Sequence, residues 1–349
     1  MSDSLDRYHR QILLPGFGEG GQRRLQDATV VLLGCGALGS VAADLLARAG
    51  VGHLVIVDRD VVEITNLQRQ VLFDEQDVAT GMPKAEAAKR HIASVNSQVH
   101  VTAIVDDINH TNIARLAEGA DLLCDGLDNF ETRYLANDLA VDRGLPYAYG
   151  AAVSTSGMAF TVTTRGDAAT PCLRCLFEEA PAPGTMPTCD TVGVLATAIT
   201  TIASFQVSEA LKILTGNADK LSRRMLHLDV WNNDLYQLEA LRNDDCPCCV
   251  HRRFDYLTGK AGSSAAVLCG RDAVQLRHRR PGEPVDLAGL AARLDGQGEV
   301  RVNEFLLRAD IRDGDKPFEI TLFSDGRAII KGTQEPDVAR GIYSRYVGT

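Results

Sequence analysis

Ala28-Thr29-Val30-Val31-Leu32-Leu33-Gly34-Cys35-Gly36-Ala37-Leu38-Gly39-Ser40 decides the fold: a short β-branched and leucine run breaks into three spaced glycines and then into helical apolar spacing as far as Ala49. A second run, His53 to Val57, delivers Asp58 at its carboxyl end. Strand, glycine turn, helix, strand and terminal acid in this order make a Rossmann-type βαβ unit. The Gly-x-Gly-x-x-Gly spacing lets a backbone approach a phosphate at a helix N-terminus, where free N–H groups and the helix dipole favour an anion. By itself the motif is weak evidence; the flanking strand and helix, and an acid placed for a ribose hydroxyl, raise it above a merely structural turn.

Working outward, Lys84 to Val95 and Asn129 to Arg143 read as helices, and Val99 to Ile104 and Ala120 to Cys124 as strands. The alternation predicts a mostly parallel α/β sheet. From Pro146 the pattern changes. Tyr147 to Ala152, Met158 to Thr164, Met225 to Asp229 and Leu235 to Leu241 are strands with short connections, which predicts an antiparallel extension of the same sheet. Between them, Pro171 to Asp190 is rich in Pro, Gly and Cys and predicts a long irregular loop, usually a functional feature in a compact domain. The apolar stretch after it, Val192 to Leu214, contains Gln206, Glu209 and Lys212, so it reads as a buried amphipathic helix and not a membrane span.

Two Cys-x-x-Cys pairs, Cys172/Cys175 and Cys246/Cys249, lie far apart in the chain. Each presents two thiolates from one tight knuckle, and together they complete the tetrahedral S4 shell that Zn2+ prefers; with no open coordination position such a zinc is structural. Cys248 lies between two ligands, but the spacing favours Cys246 and Cys249. Cys35 and Cys124 fall at strand ends, where small buried thiols are common. Cys269, in Leu268-Cys269-Gly270-Arg271, superficially resembles the sulfur-accepting loop of a rhodanese domain, but the tail around it is too short for one.

The 349 residues exceed one average domain. Residues 1–257 are expected to form the nucleotide-binding domain, 258–264 a Gly/Ser-containing linker, and 265–349 a small α+β domain with no assignable chemistry. In the tail, Val267 to Leu276 is strand-like and Leu287 to Leu294 helix-like. Phe318 to Phe323 and Ala328 to Lys331 flank a Ser324-Asp325-Gly326-Arg327 turn, and Asp337 to Tyr346 reads as a closing helix. The chain has 45% hydrophobic and 23% charged residues, ordinary for a globular protein, and its net charge of −10 argues against a nucleic-acid coat. Met1 to Gln11 carries no apolar signal segment, so a cytoplasmic location is expected, and nine cysteines in a reducing compartment are expected as ligands, reactive thiols or core residues and not disulfides.

The residues beyond Asp58 do not read as those of a dehydrogenase. Asp58-Arg59-Asp60 is succeeded by Asn66-Leu67-Gln68-Arg69-Gln70, by Pro83-Lys84 at a helix start, and by Asp125-Gly126-Leu127-Asp128-Asn129 at a strand end. Arg69 and Lys84 are cations suited to a triphosphate. Asp128, at the carboxyl edge of the sheet, has the oxygen chemistry for Mg2+. Singly each is as often a solvated surface residue; jointly they describe ATP.

These motifs, with Tyr8-His9-Arg10-Gln11, both cysteine knuckles and Thr188-Cys189-Asp190, resemble the ThiF/MoeB/HesA family, relatives of ubiquitin-activating enzymes, over about residues 5 to 252. The resemblance implies a homodimeric adenylyltransferase that uses Mg-ATP to activate the C-terminal Gly-Gly carboxylate of a small ubiquitin-fold carrier. It assigns ATP to Gly34, Gly36, Ala37, Gly39, Asp58 and Asp60. Asn66, Arg69 and Lys84 would hold the phosphates, Asp128 beside Asn129 would hold Mg2+, and Arg10 would reach into the partner subunit's site. A carboxylate attacking a phosphate needs no general base, because it is already ionised at neutral pH, and catalysis should come from positioning and surrounding cations.

Cys189 is expected near the N-terminus of the long helix, a place that lowers a thiol's pKa. In family members that proceed beyond adenylation this cysteine takes the carrier as a thioester or joins it through a persulfide; others keep it without needing it. The leading expectation is therefore activation of a sulfur carrier, with activation of a ubiquitin-like protein modifier as its rival. A zinc-bearing NAD-dependent oxidoreductase or a catalytically dead scaffold are the readings from other classes. The chain ends Tyr346-Val347-Gly348-Thr349 and not Gly-Gly, so a fused carrier is not expected.

Overall fold

The computed structural model describes residues 5–164, 166, 169–178, 189–261, 267–268, 272–277, 285–314, 316–324 and 326–347. They divide into two compact units at residues 262–263. Cys269 and Thr188 lie outside the described residues.

In the first unit, β1 (Thr29–Leu33), β2 (His53–Val57), β3 (His100–Ile104), β4 (Leu122–Asp125), β5 (Tyr147–Val153), β6 (Ser156–Val162), β7 (Arg224–Asp229) and β8 (Asp234–Glu239) form one sheet in the order β3-β2-β1-β4-β5-β6-β7-β8. Pairings from β3 through β5 are parallel, and those from β5 to β8 are antiparallel, so the expected parallel core with an antiparallel extension is present. The central strands are apolar on both faces because both are covered. Val30 and Leu32 of β1 face a core shared with the helices Ala37–Ala49, Lys84–Val95 and Ala196–Leu214, while Val31 and Leu33 face one shared with the helix Phe130–Arg143.

Local chemistry explains the element ends. The helix Ala37–Ala49 stops at Gly50, whose φ of +88° few other residues adopt and whose α-carbon faces the Tyr8 ring so closely that a Cβ would lie 2.4 Å from it. The helix Ala196–Leu214 buries Ala198, Ile199, Ile202, Ala203, Gln206, Val207 and Ala210 on one stripe and leaves Thr200, Ser204 and Ser208 outside. It begins later than the apolar run suggested, since Gly193, at φ +76°, and a bridge from Val194 to Ser154 precede it. Among the described residues no helix is long and apolar enough to cross a membrane.

Residues Thr258 to Ala261, read from the sequence as the start of a linker, turn back on the first unit. Thr258 N–H donates to Phe254 O and Ala261 N–H to Asp255 O, and Tyr256 and Leu257 N–H groups both donate to Asp138 Oδ2.

The second unit is a six-stranded antiparallel sheet of β9 (Val267–Leu268), β10 (Ala273–Arg277), β11 (Gly298–Val302), β12 (Leu306–Asp313), β13 (Lys316–Phe323) and β14 (Arg327–Lys331), ordered β11-β12-β13-β14-β10-β9. The helices Leu287–Leu294 and Pro336–Tyr346 share a core with Val274, Leu307, Ile320 and Ile330. The single strand expected over Val267 to Leu276 is two antiparallel strands, and β11 and β12 are additional to the expected elements. The β13–β14 hairpin has the expected pairing.

Candidate active site

β1 pairs with β2 on one side and β4 on the other, so the chain reverses its direction of winding there, and the carboxyl ends of these strands open a crevice of the kind that binds ligands in open α/β sheets. Three glycines set its floor. Gly34 turns the chain at φ +87°, and a Cβ on Gly39 or on Gly126 would lie 2.1 Å from Gly34 O. The glycine turn after β1 and the loop after β4 are thus packed backbone to backbone. Gly36 is different: a Cβ there would meet nothing nearer than Gly126 O at 3.9 Å, so its α-carbon faces open space at the start of the helix Ala37–Ala49. That opening suits the close approach of a phosphate.

Asp58 is 9% exposed; its Oδ2 accepts from Cys35 N–H at 2.6 Å and its Oδ1 from Asp60 N–H at 2.7 Å, locking the glycine turn to the end of β2. Burial pushes the Asp58 carboxyl up, Lys84 pulls it down and Asp60 adds to the rise. Lys84 is only 3% exposed, with Nζ donating to Asp60 Oδ2 at 3.0 Å and its backbone N–H to Asp60 O. Arg59 donates to Asp107 Oδ1 at 2.8 Å. Burial works against its charge, but Asp107, Asp60, Asp128 and Asp58 outweigh burial and hold the guanidinium firmly protonated. Asp58, Asp60 and Lys84 therefore form one bonded chain at the crevice.

Asn66 ends the 3-10 turn Ile64–Asn66, and Arg69 lies three residues beyond it. Asn66 is 2% exposed and its Oδ1 accepts from Glu63 N–H at 3.0 Å, and Arg69 Nη1 donates to Thr65 O at 2.8 Å. Asp128 is exposed beyond β4; Asn129 Nδ2 donates to its Oδ1 at 3.1 Å, while Asn129 Oδ1 caps the helix Phe130–Arg143 by accepting from Thr132 N–H. An exposed carboxylate at this strand-end edge has the oxygen chemistry of a hard cation's ligand. Tyr8 and Gln11 anchor the N-terminal segment: Gln11 Nε2 donates to Gln22 Oε1 and Ala49 O, and Asn96 Nδ2 donates to Tyr8 Oη, while His9 and Arg10 between them stay exposed.

Beneath the Asp128 loop lies a buried polar network that the sequence reading missed. Asp125, fully buried, accepts from Arg133 Nε at 3.2 Å and Tyr147 Oη at 2.7 Å on Oδ2, and from Leu127 N–H at 2.8 Å on Oδ1. Arg133 Nη2 also donates to Leu127 O and Gly150 O, and Gln206 Nε2 donates to Asp125 O and Ala148 O. Burial pushes the Asp125 carboxyl up against the pull of Arg133; burial also opposes the Arg133 charge, but Asp125, Tyr149, Tyr147 and Asp128 hold it. The available signal was an arginine one turn inside the helix that follows a strand-end acid.

The two cysteine knuckles meet beside the helix Phe130–Arg143. Cys172, Cys175, Cys246 and Cys249 place their sulfurs within 4.8 Å of one another, with Cys172 to Cys246 at 3.6 Å, Cys172 to Cys175 at 4.0 Å and Cys175 to Cys249 at 3.4 Å. A tetrahedral zinc with bonds of about 2.3 Å needs sulfurs about 3.8 Å apart, so the set fits the ion. Cys248 is outside it: fully buried, its sulfur accepts from Asn137 Nδ2 at 3.3 Å. Asn137 Oδ1 accepts from Leu173 N–H, so one side chain touches both knuckles. Cys35 and Cys124 are fully buried, and burial first, then the neighbouring Asp58 or Asp125, pushes both thiols well up, as expected of packed thiols.

Cys189 is half-buried and opens the single helical turn Cys189–Val192, its Sγ donating to Ala152 O at 3.5 Å. Cys189 thus opens its own short turn, and the long helix starts only at Ala196, beyond the turn at Gly193.

Residues 8–248 match the model of the ThiF family. The chain is 43% identical over 345 residues to the sulfur carrier protein ThiS adenylyltransferase of Bacillus subtilis, covering 98% of this chain and 99% of that one. It is 42% identical over 245 residues to the SAMP-activating enzyme E1 of Haloferax volcanii, covering 70% of this chain and 88% of that one. Among solved structures, E. coli MccB with ATP superimposes with a TM-score of 0.61 at 24% identity, covering 70% of this chain and 75% of that one, a likeness of fold.

Proposed function

Because the chain belongs to the ThiF family, we propose that it is an adenylyltransferase that uses ATP to activate the C-terminal carboxylate of a small ubiquitin-like sulfur carrier. The observation that carries the reading is the likeness to the ThiS adenylyltransferase, which runs through both units and over nearly the whole of each chain. The likeness to the SAMP-activating enzyme covers 70% of this chain against 98% for the ThiS adenylyltransferase, which supports a ThiS-type carrier as substrate.

A carrier carboxylate oxygen attacks the α-phosphorus of ATP. The bond to the bridging oxygen breaks, pyrophosphate leaves with the electron pair, and an acyl adenylate remains. No proton has to be removed from the nucleophile at neutral pH. The barrier is repulsion between anions, so the protein's share is to fix the reactants in line and surround them with positive potential. N–H groups at the start of the helix Ala37–Ala49 would face the phosphates. Asp58, held by two backbone N–H groups, keeps lone pairs for ribose hydroxyls. Lys84 and Arg69 supply positive charge, Asn66 keeps the turn carrying Arg69 in shape, and Asp128 with Asn129 holds Mg2+, which when bound offsets phosphate charge. The four knuckle cysteines hold a structural zinc. The finer reading is a homodimer in which exposed Arg10 serves the partner subunit, a carrier ending in Gly-Gly, a cytoplasmic setting, and a step after adenylation at Cys189.

The test is carrier-dependent ATP–pyrophosphate exchange with a ThiS-type carrier. Exchange is expected with the intact carrier and lost when its terminal glycine is deleted; no exchange from folded, zinc-loaded protein with any such carrier overturns the reading.

A further inference from the structure

Asp125, Arg133 and Tyr147 take no part in the chemistry set out above, yet they are buried, charged or polar, and bonded to the backbone that carries Asp128. Arg133 is 6% exposed and sits one turn inside the helix that Asn129 caps. Its Nη2 holds Leu127 O at 2.7 Å, while Asp125 Oδ1 holds Leu127 N–H at 2.8 Å. Both polar groups of the residue before Asp128 are therefore tied to one ion pair. A second bond from Nη2 runs to Gly150 O on β5, and the guanidinium lies 5.4 Å from the Tyr149 ring centre and 5.8 Å from that of Phe130. The neighbouring residue on the other side, Gly126, is pinned by its N–H to Leu33 O and by contact with Gly34 and Gly39.

An exposed carboxylate on a freely turning loop would lose orientation entropy each time it bound a cation; here the peptides before it are fixed in advance. We propose that Arg133, through its ion pair with Asp125, is a positioning residue that sets the direction in which Asp128 presents its carboxylate to the divalent cation of the bound nucleotide. The inference rests on the reading of Asp128 as that cation's ligand. Arg133 can be replaced by Lys, which keeps the charge but cannot reach Asp125, Leu127 and Gly150 together.

The experiment measures binding of a non-hydrolysable ATP analogue by calorimetry with and without Mn2+, in wild type, Arg133→Lys, Tyr147→Phe, Asp128→Asn and the double variant Arg133→Lys/Asp128→Asn, alongside unfolding midpoints. In wild type Mn2+ tightens nucleotide binding. Arg133→Lys is expected to cut that tightening about tenfold, the scale of an outer-sphere change at a metal site, and Tyr147→Phe, which removes one bond to Asp125 and keeps the ring, by a smaller factor. Metal-free affinity should be unchanged, and the double variant should match Asp128→Asn alone. Equal Mn2+ tightening in wild type and folded Arg133→Lys, or additive losses in the double variant, overturns the inference, as does wild type showing no Mn2+ effect. If Arg133→Lys does not fold, Tyr147→Phe decides by the same comparison. Metal-dependent binding with this pattern but no carrier-dependent exchange would sink the proposed function and leave the role of Arg133 standing.

Discussion

The two ends of one helix teach different lessons. At the start of Phe130–Arg143, Arg133 and the Asn129 cap hold a crevice whose parts come from consecutive β-α turns; at its middle, Asn137 and Asp138 hold a knuckle pair whose cysteines lie 74 residues apart in the chain. In the crevice Asp58 accepts two backbone N–H groups, Lys84 and Arg59 are ion-paired with Asp60 and Asp107, and Gly39 and Gly126 pack on Gly34 O. The knuckle corner brings four thiols together and leaves their charge to be balanced by a metal. One region is preorganised by the sheet, and the other has the four-sulfur donor set of a zinc site.

Removing Asp128 is the sharpest way to break this comparison. Asp128→Ala should lower carrier-dependent pyrophosphate exchange by about 10²–10³, the scale of losing one electrostatic element of a preorganised site, while the unfolding midpoint stays put because the side chain is exposed. A matching fall in stability would mean that the crevice is not preorganised as described.

Zinc removal should act in the opposite sense. Stripping the metal with a chelator should lower the unfolding midpoint strongly, since structural zinc binding is folding free energy, on the order of 10 kcal/mol in small zinc domains. Hydrogen exchange should rise in residues 172–176 and 246–251 before it rises at β1. Activity should fall only as far as this corner loosens, and a solvent ligand on the zinc would contradict a purely structural role.

Asp138 offers a smaller, pH-dependent test. Burial pushes its carboxyl up to about 6, against the pull of Cys248 and of the Leu257 and Tyr256 N–H groups, and its Oδ1 has no hydrogen-bond partner. A carboxyl raised on folding binds its proton more tightly in the native state, so the group's contribution falls as pH rises through this range and levels off above it. Asp138→Asn should gain stability relative to wild type by roughly 1–2 kcal/mol between pH 5 and 8, with the gain flat above pH 7. A difference independent of pH would place the charge elsewhere.

Cys189→Ala should have the smallest effect on the first step. The thiol's bond to Ala152 O is long and belongs to neither region, so exchange should stay within about twofold of wild type. A non-reducing gel under turnover then shows whether a reductant-sensitive carrier adduct depends on Cys189. Lost exchange would move the thiol into the adenylation step itself.

Much of this was legible in the chain. The glycine spacing, the strand-end acids and the Cys-x-x-Cys pairs are local patterns whose physics fits within a few residues, and the structure places each where those patterns imply. The Arg133–Asp125–Tyr147 network was not legible, because its partners come from a helix and two strands and nothing in a single arginine's neighbours says which way it points. Strands β11 and β12 carry a period-2 pattern, with Arg308 and Asp310 alternating with Leu307, Ala309 and Ile311, that the sequence reading passed over. Cys189 opens a turn of its own because one glycine, Gly193, ends that turn and delays the long helix.

By itself the sequence determined the nucleotide-type βαβ unit, the candidate ligands of both sites and the family resemblance, since each depends on spacing along the backbone. Only the tertiary structure decided that Gly39 and Gly126 share one contact at Gly34 O, that Asn137 joins two distant knuckles, and that Arg133 grips the loop before Asp128. Close approach and buried hydrogen bonding are properties of surfaces brought together, and the sheet order that brings these together is written in no single stretch of the chain.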